Sequence, residues 1–386
     1  MNGYFRALPP GAGQKAAVAA GKRINFRNNK CSCDCPLNQP PARHNHSRYP
    51  QNMVRFTVLA SGSKGNSTVI TGGRTRILVD CGLSCREIFR RMSLADEDPQ
   101  TLDAILITHE HSDHVHGVAV TARKLGIPVY FTEATHGAWR RWLTPRKQMS
   151  YAQWLEQCRK QAAERQAEAE AAAEEGEPDE TDLVGGAEPI SPAMAEIAAA
   201  DAQAEAAEPV PVKEKKDPAW LPAVEYFQAG EPFAIGDIAV SPFTIPHDAA
   251  DPVGFVFQAE GVRMAFATDL GYIPPNVKAQ LQGLDLLLLE SNHDLEMLRD
   301  GPYPWAVKQR VLSRVGHLSN DAAAEFLENG YDGQAAYVIL AHLSESNNLP
   351  ELARVMAERA LNGRASLLAN ALLLAKQHEA LTPICF

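Results

Sequence analysis

The sequence predicts an α/β protein in which sheets are covered by helices. Three observations lead there. Short apolar runs rich in β-branched residues alternate with helical patterns along most of the chain. Hydrophobic residues make up 45% of the 386 and aromatics 7%, enough apolar side chain for a sizeable core. Two polar segments of opposite charge lack any apolar face, so the folding part shrinks to a core of about 270 residues.

Those two segments explain why the formal charge of -10 is an average of unlike pieces. Residues 1–52 carry eight Lys/Arg against the single acid Asp34 and show neither a period of 2 nor one of 3.6. They read as a disordered basic leader, and Met53 reads as the biological start, the preceding residues being a start-site miscall. Cys31, Cys33 and Cys35, with His44 and His46, lack the two-to-four-residue separation of a structural zinc site. A second segment, about 151–216, reads as an acidic insertion rich in Ala and Glu. From Gln161 to Lys216 it holds fifteen Asp/Glu against four Lys/Arg. Tyr151 to Glu175 suits a charged helix and the rest a flexible linker, so 53–386 is expected to fold as one interrupted domain.

The longest apolar runs, Leu286–Leu289 and Ala16–Ala20, fall far short of the roughly 18 residues that cross a bilayer. With no signal-peptide pattern either, the expected location is the cytoplasm, with no membrane partner. Seven cysteines without framework spacing read as reduced thiols.

Strands are predicted at Val54–Ala60, Thr68–Thr71, Arg76–Asp80, Ala104–Thr108, Pro128–Phe131, Ile238–Ile245, Gly254–Gln258, Met264–Thr268, Leu284–Glu290 and Ala336–Ala341. Helices are predicted at Ser84–Met92, His114–Leu125, Thr132–Trp142, Pro304–Val315, Ser319–Asn329 and Leu349–Leu361, several with a Ser or Thr cap.

The chemistry concentrates in Thr108-His109-Glu110-His111-Ser112-Asp113-His114, directly after an apolar strand. Alternate side chains of an extended segment share a face, so His109 and His111 can converge on one point. As the chain turns into a helix, Asp113 and His114 can face a second. This donor set suits a borderline divalent metal such as zinc. The competing reading is a polar strand-to-helix loop capped by Asp113.

An HxHxDH run after a strand resembles the metallo-β-lactamase fold superfamily. That resemblance implies an αββα sandwich with a dinuclear metal cleft at one edge, holding two divalent ions (Zn or Mn). It assigns His109, His111 and His247 to one ion, Asp113, His114 and His342 to the other, and Asp269 to both. Asp80 would orient the histidine loop from behind. The plainer alternatives are a turn histidine beside Pro246 for His247 and a turn cap for Asp269. His136 competes with His247 but sits in a helical pattern beside Trp139 and reads as structural. His116 is expected at the surface or facing substrate.

Val315-Gly316-His317-Leu318-Ser319-Asn320 resembles the phosphodiesterase branch of that superfamily, where the matching histidine donates a proton or stabilises charge at the scissile phosphate. His317 takes that role by resemblance, against the alternative of a neighbour to the Ser319 cap. The runs Leu59–Ser67, Asp248–Gly254, Glu290–Asp294, Gly301–Trp305 and Leu343–Asn348 together resemble the YycJ/WalJ-like group of metal-dependent exonucleases. This likeness covers nearly the whole core, from Met53 to the C-terminus, and leaves out the leader and the acidic insertion.

It implies a 5′-to-3′ DNA exonuclease in which paired cations activate water, with Asp113 and Asp269 joining His317 in the chemistry. Nucleic acid, DNA in the first place, is the implied partner. The Gly-rich Ser61–Ser67 loop is either a phosphate cradle, through Ser61, Ser63 and Asn66, or a plain turn. Asn320, Arg310 and Arg314 are further substrate candidates, with Arg140, Arg141, Arg146 and Lys147 as flanking phosphate contacts. The rivals are a hydrolase of a thioester or cyclic phosphate, an RNA-processing nuclease, and a metal-binding regulator without turnover.

Overall fold

In the computed structural model every predicted strand is present, with ends within two residues of expectation. The structure describes residues 53–144, 217–362 and 370–386, together with a few helical positions between 155 and 163. All belong to one compact unit, Arg48–Phe386. The basic leader, most of the acidic insertion, Arg146 and Lys147 lie outside the described residues.

Fourteen strands form two seven-stranded sheets. The first, in the order β14-β1-β2-β3-β4-β5-β6, joins β1 (Arg55–Ala60), β2 (Ser67–Gly72), β3 (Thr75–Val79), β4 (Ala104–Leu106), β5 (Val129–Phe131), β6 (Val224–Tyr226) and β14 (Ile384–Cys385). The second, in the order β13-β12-β11-β10-β9-β8-β7, joins β7 (Phe233–Ile235), β8 (Ile238–Thr244), β9 (Val253–Ala259), β10 (Val262–Ala267), β11 (Leu286–Glu290), β12 (Tyr337–Ala341) and β13 (Ala371–Leu374).

Each sheet repeats one plan, three antiparallel pairings followed by three parallel ones. The parallel pairing of β5 with β6 joins the chain on either side of the 145–216 stretch within one sheet.

The layers follow from period-2 burial on both faces. In β11, Leu286 and Leu288 join Phe56, Ile77, Phe255 and Met264 in a core between the sheets. Leu287 and Leu289 point the other way, into a core with Phe326, Leu327 and Ala357 of the covering helices. The outer face of the first sheet is closed likewise by Ile88, Met92, Val118 and Trp139. A strand buried on both faces reads as an uninterrupted apolar run, which is why Leu286–Leu289 has no polar alternation. Each such leucine contributes roughly 1.5–3 kcal/mol of burial. The result is the αββα sandwich.

The four strands that sequence patterning does not predict, β6, β7, β13 and β14, are the four sheet edges. They run for two to four residues, too short to show a period, and are held by pairing to an already formed neighbour. Two short helices, Pro275–Gln280 and Leu295–Asp300, also escape prediction.

The expected helix His114–Leu125 is two pieces, Ser112–Val115 and Val118–Leu125. Its break falls at Gly117, whose N–H donates to the Cys81 carbonyl and where a Cβ would lie 2.1 Å from the Leu83 carbonyl oxygen. The helix expected over Pro304–Val315 ends at Val311. Cys81, Cys85 and Cys385 are unpaired thiols.

Candidate metal centre

The C-terminal ends of β3, β4, β10, β11 and β12 meet at one end of the sandwich, and each delivers a polar residue there. Asp80 follows β3, the histidine run follows β4, Asp269 follows β10, Glu290 ends β11 and His342 follows β12. Three of these, Asp80, Asp269 and His342, have φ of 56°, 60° and 57°, a region that side-chain-bearing residues rarely occupy. Such strain persists only where surrounding structure over-determines it, and it concentrates at functional sites.

The histidine run is a loop, since β4 stops at Leu106. Even so, His109 and His111 converge, with ring centroids 4.6 Å apart, and His247 meets both at 5.0 Å. Donor atoms of these three lie within 4.8 Å of one another. Asp113, His114 and His342 form a second such group, and Asp269 joins His109 and His114 in another. All seven sequence-predicted ligands are therefore brought to one place, with Asp269 between the two sets.

The loop is seated by Asn66, whose backbone N–H donates to the Asp113 carbonyl at 2.7 Å and whose side-chain amide reaches Asp113 Oδ2 at 3.2 Å. Gly82 makes this possible. A Cβ there would stand 1.6 Å from the Asp113 carbonyl oxygen.

Ring nitrogens facing away from the centre are held by protein oxygens. His114 Nδ1 lies 2.8 Å from Asp80 Oδ2, while the Thr108 N–H and hydroxyl donate to the same carboxylate. His247 Nδ1 donates to the Gly316 carbonyl at 3.1 Å, and His342 Nδ1 lies 2.9 Å from Glu290 Oε1. Each bond fixes a tautomer and turns the other nitrogen, Nε2, inward as a lone pair. His109 Nε2, His342 Nε2 and Asp269 Oδ2 are buried and have no hydrogen-bond partner among the described residues. Orphaned buried donors and acceptors are costly unless something satisfies them. A divalent cation bound by nitrogen and carboxylate ligands suits this donor set.

The electrostatics divide the four histidines into two pairs. Burial and the neighbouring imidazoles hold the His109 pKa well below the ordinary imidazole value, keeping the ring neutral. Burial lowers that of His247 as well. For His114 and His342 burial acts in the same sense but is outweighed by the surrounding carboxylates, Asp269 foremost, so both are raised. Asp113 and Glu290 are held below the carboxylate range despite burial, by His114 and His317 respectively before other neighbours. Four acids around so few cations leave negative charge that bound metal would offset.

Glu290 is the residue that sequence reasoning missed as a site member. Its Oε1 lies 2.8 Å from His317 Nδ1, and Oε2 accepts from the Leu270 and Leu318 N–H groups. An acid closing a four-leucine strand was the available signal, because a carboxylate is almost never fully buried unless paired. His317 is partly exposed and lines an open cleft of about 370 Å³ together with His111, Asp113, Asp269 and His342.

The substrate candidates divide. Ser63 and Arg310 line the cleft. Ser61 does not, being buried with its hydroxyl accepting from the His342 N–H. Asn66 is spent on the histidine loop, and Asn320 is buried in a network with Ser291 and Asn348. His116 is exposed away from the cleft lining, as are Arg140 and Arg141. Arg310 and Arg314 do not share a helix face as their spacing suggests, because the helix ends between them. Arg310 is paired with Asp248, and Arg314 lies over the Tyr272 ring at 4.3 Å. His136 packs on Phe131 and Trp139 with Nδ1 2.7 Å from the Tyr226 hydroxyl, and it joins none of the donor groups.

The chain belongs to the metallo-beta-lactamase superfamily, whose family model matches residues 60–307, and is a metal-dependent hydrolase. Within that family it is 31% identical over 308 residues to the Exodeoxyribonuclease YycJ of Bacillus anthracis, covering 80% of this chain and 89% of the relative. It is likewise 31% identical over 301 residues to the Exodeoxyribonuclease WalJ of Streptococcus pneumoniae, covering 78% and 86%. Among solved structures, the metallo-beta-lactamase fold protein YhfI from Bacillus subtilis superimposes with a TM-score of 0.50 at 13% identity, over 86% of this chain and 99% of that one. This last likeness concerns the fold alone.

Proposed function

We propose that the protein is a cytoplasmic 5′-to-3′ DNA exonuclease that works with two divalent cations, Zn or Mn. His109, His111 and His247 hold one ion, Asp113, His114 and His342 the other, and Asp269 touches both. Bound there, the cations supply an activated water and the positive charge that in-line attack on a phosphodiester requires.

The observation that carries the phosphodiester reading is His317 in the cleft, with Nδ1 taken by Glu290. That bond leaves Nε2 as the ring atom available to a substrate. Oriented by Glu290, the ring can give a proton from Nε2 to the leaving oxygen of a nucleotide, a poor leaving group that needs one. Thioesters and other substrates with good leaving groups need such a donor less. The relatives named as exodeoxyribonucleases support DNA as the polymer. Outside residues 1–52 and 161–216 the chain carries a net charge of -6 and draws little general attraction from phosphate, so binding rests on the cations and on local groups such as Arg310.

The test is incubation of purified protein, with Mn or Zn, with duplex DNA labelled at the 5′ or 3′ end, structured RNA, and a thioester. Release of mononucleotides from the 5′ label first supports the reading. Turnover confined to the thioester, or to RNA, would replace it.

A further inference from the structure

The helix Trp305–Val311 is inside out. Its one buried side chain is Lys308, 8% exposed, whose Nζ donates to the Arg299 carbonyl at 2.7 Å. Trp305, in contrast, is 65% exposed and Val307 37%, and Leu312 and Val315 beyond the helix are open too. A helix held by packing turns its apolar side inward. Clustered apolar surface left in water marks a binding face. Among the described residues no aromatic ring or cation lies against the Trp305 indole.

The same stretch borders the metal-ligand cleft, although Trp305 itself is not among the residues that line it. Tyr303, Val307, Arg310 and Val311 line the same cavity as His111, Asp269 and His342. Whatever occupies the cleft lies against this helix. Its chemistry is aromatic and apolar with one guanidinium, which suits a nucleobase next to its phosphate.

We infer that Tyr303 and Trp305 form a stacking platform for unpaired bases of the strand being cut, with Arg310 beside them for its phosphate. This rests on the nuclease reading above. A base inside a duplex has both faces covered by its neighbours, so the platform selects ends that are frayed or single-stranded. Base–aromatic stacking of this kind is sequence-tolerant, because every base has a π face.

The experiment measures KM and kcat of the metal-loaded enzyme on end-labelled oligonucleotides with a short unpaired 5′ overhang, for wild type, Trp305→Ala and Trp305→Phe. Trp305→Ala should raise KM roughly 5- to 100-fold, the span of one stacked base, and Trp305→Phe should restore most of it. On overhangs made of abasic residues, wild type and Trp305→Ala should have the same KM. Bis(p-nitrophenyl) phosphate serves as a base-free ester, and the ratio of DNA to small-ester activity should fall at least about fivefold in Trp305→Ala.

An equal KM rise on abasic and normal overhangs, or a Phe variant no better than Ala, overturns the inference. So does a Trp305 already shielded from acrylamide quenching in the free protein, or a Trp305→Ala variant that splits an oligomer, since another part of the chain or a second copy then covers the face. A wild-type protein that hydrolyses the small ester but no DNA overturns the nuclease reading itself, a result distinct from all of these.

Discussion

His317 and His342 share one carboxylate oxygen: their Nδ1 atoms lie 2.8 and 2.9 Å from Oε1 of the fully buried Glu290. The group proposed to move a proton and the group proposed to bind metal are thereby oriented by the same acid, and a change at Glu290 should disturb both.

Glu290→Gln is expected to lower metal affinity and turnover about 10- to 100-fold each, the usual cost of losing an outer partner of a liganding histidine. An amide that keeps its oxygen on the two rings turns its NH2 against the Leu270 and Leu318 N–H groups that now donate to Oε2, and the flipped amide presents N–H to both rings. Metal content by mass spectrometry and kcat on DNA check this together. Wild-type values for both would show that the shared oxygen is only a structural tie.

His317→Ala should keep its metals yet lose about 10²- to 10⁴-fold in kcat on DNA, the range of a general acid–base group. Hydrolysis of a thioester should suffer less. Unchanged DNA cleavage would reduce His317 to a neighbour of the Ser319 cap, and loss of metal along with activity would mark it as a ligand.

Replacing Asp269 by Ala removes the carboxylate that lies with His109 and His114 on one side and with His342 on the other. Metal content and activity should both collapse. Full occupancy with normal turnover would sink the dinuclear assignment.

Gly82→Ala tests how the histidine loop is seated. With the new methyl 1.6 Å from the Asp113 carbonyl oxygen, the loop must move. The change should destabilise by roughly 2–4 kcal/mol and weaken metal binding. A melting temperature and metal content equal to wild type would show that the backbone yields at no cost.

Deleting Gln161 to Val210 and bridging the gap with a short flexible linker should leave folding and chemistry nearly intact, because the segment has no apolar face to add to a core. A large drop in melting temperature is the contrary result.

The sequence by itself determined the interior strands and the clustering of His109, His111, Asp113 and His114, while the αββα class and the remaining donors came with the resemblance its motifs carry. An interior strand such as β11 is buried on both faces, and that burial writes itself into composition as a continuous apolar run. The candidate donors are legible for a similar reason: His109, His111, Asp113 and His114 stand within six residues at one strand-to-helix junction, so their nearness in sequence already makes them neighbours in space.

Tertiary structure decided the rest. The edge strands β6, β7, β13 and β14 exist because a neighbour offers unpaired backbone, which no local pattern records. Asn66 and Asn320 read as substrate contacts in the sequence, yet their amides are consumed by Asp113 and by Ser291 and Asn348, partners between 28 and 47 residues away. Glu290 acquired its place only when β11 came to lie between β10 and β12, setting its carboxylate against His317 and His342. A side chain's chemical type is local information. What it is free to bind depends on which of its hydrogen bonds the fold has already used.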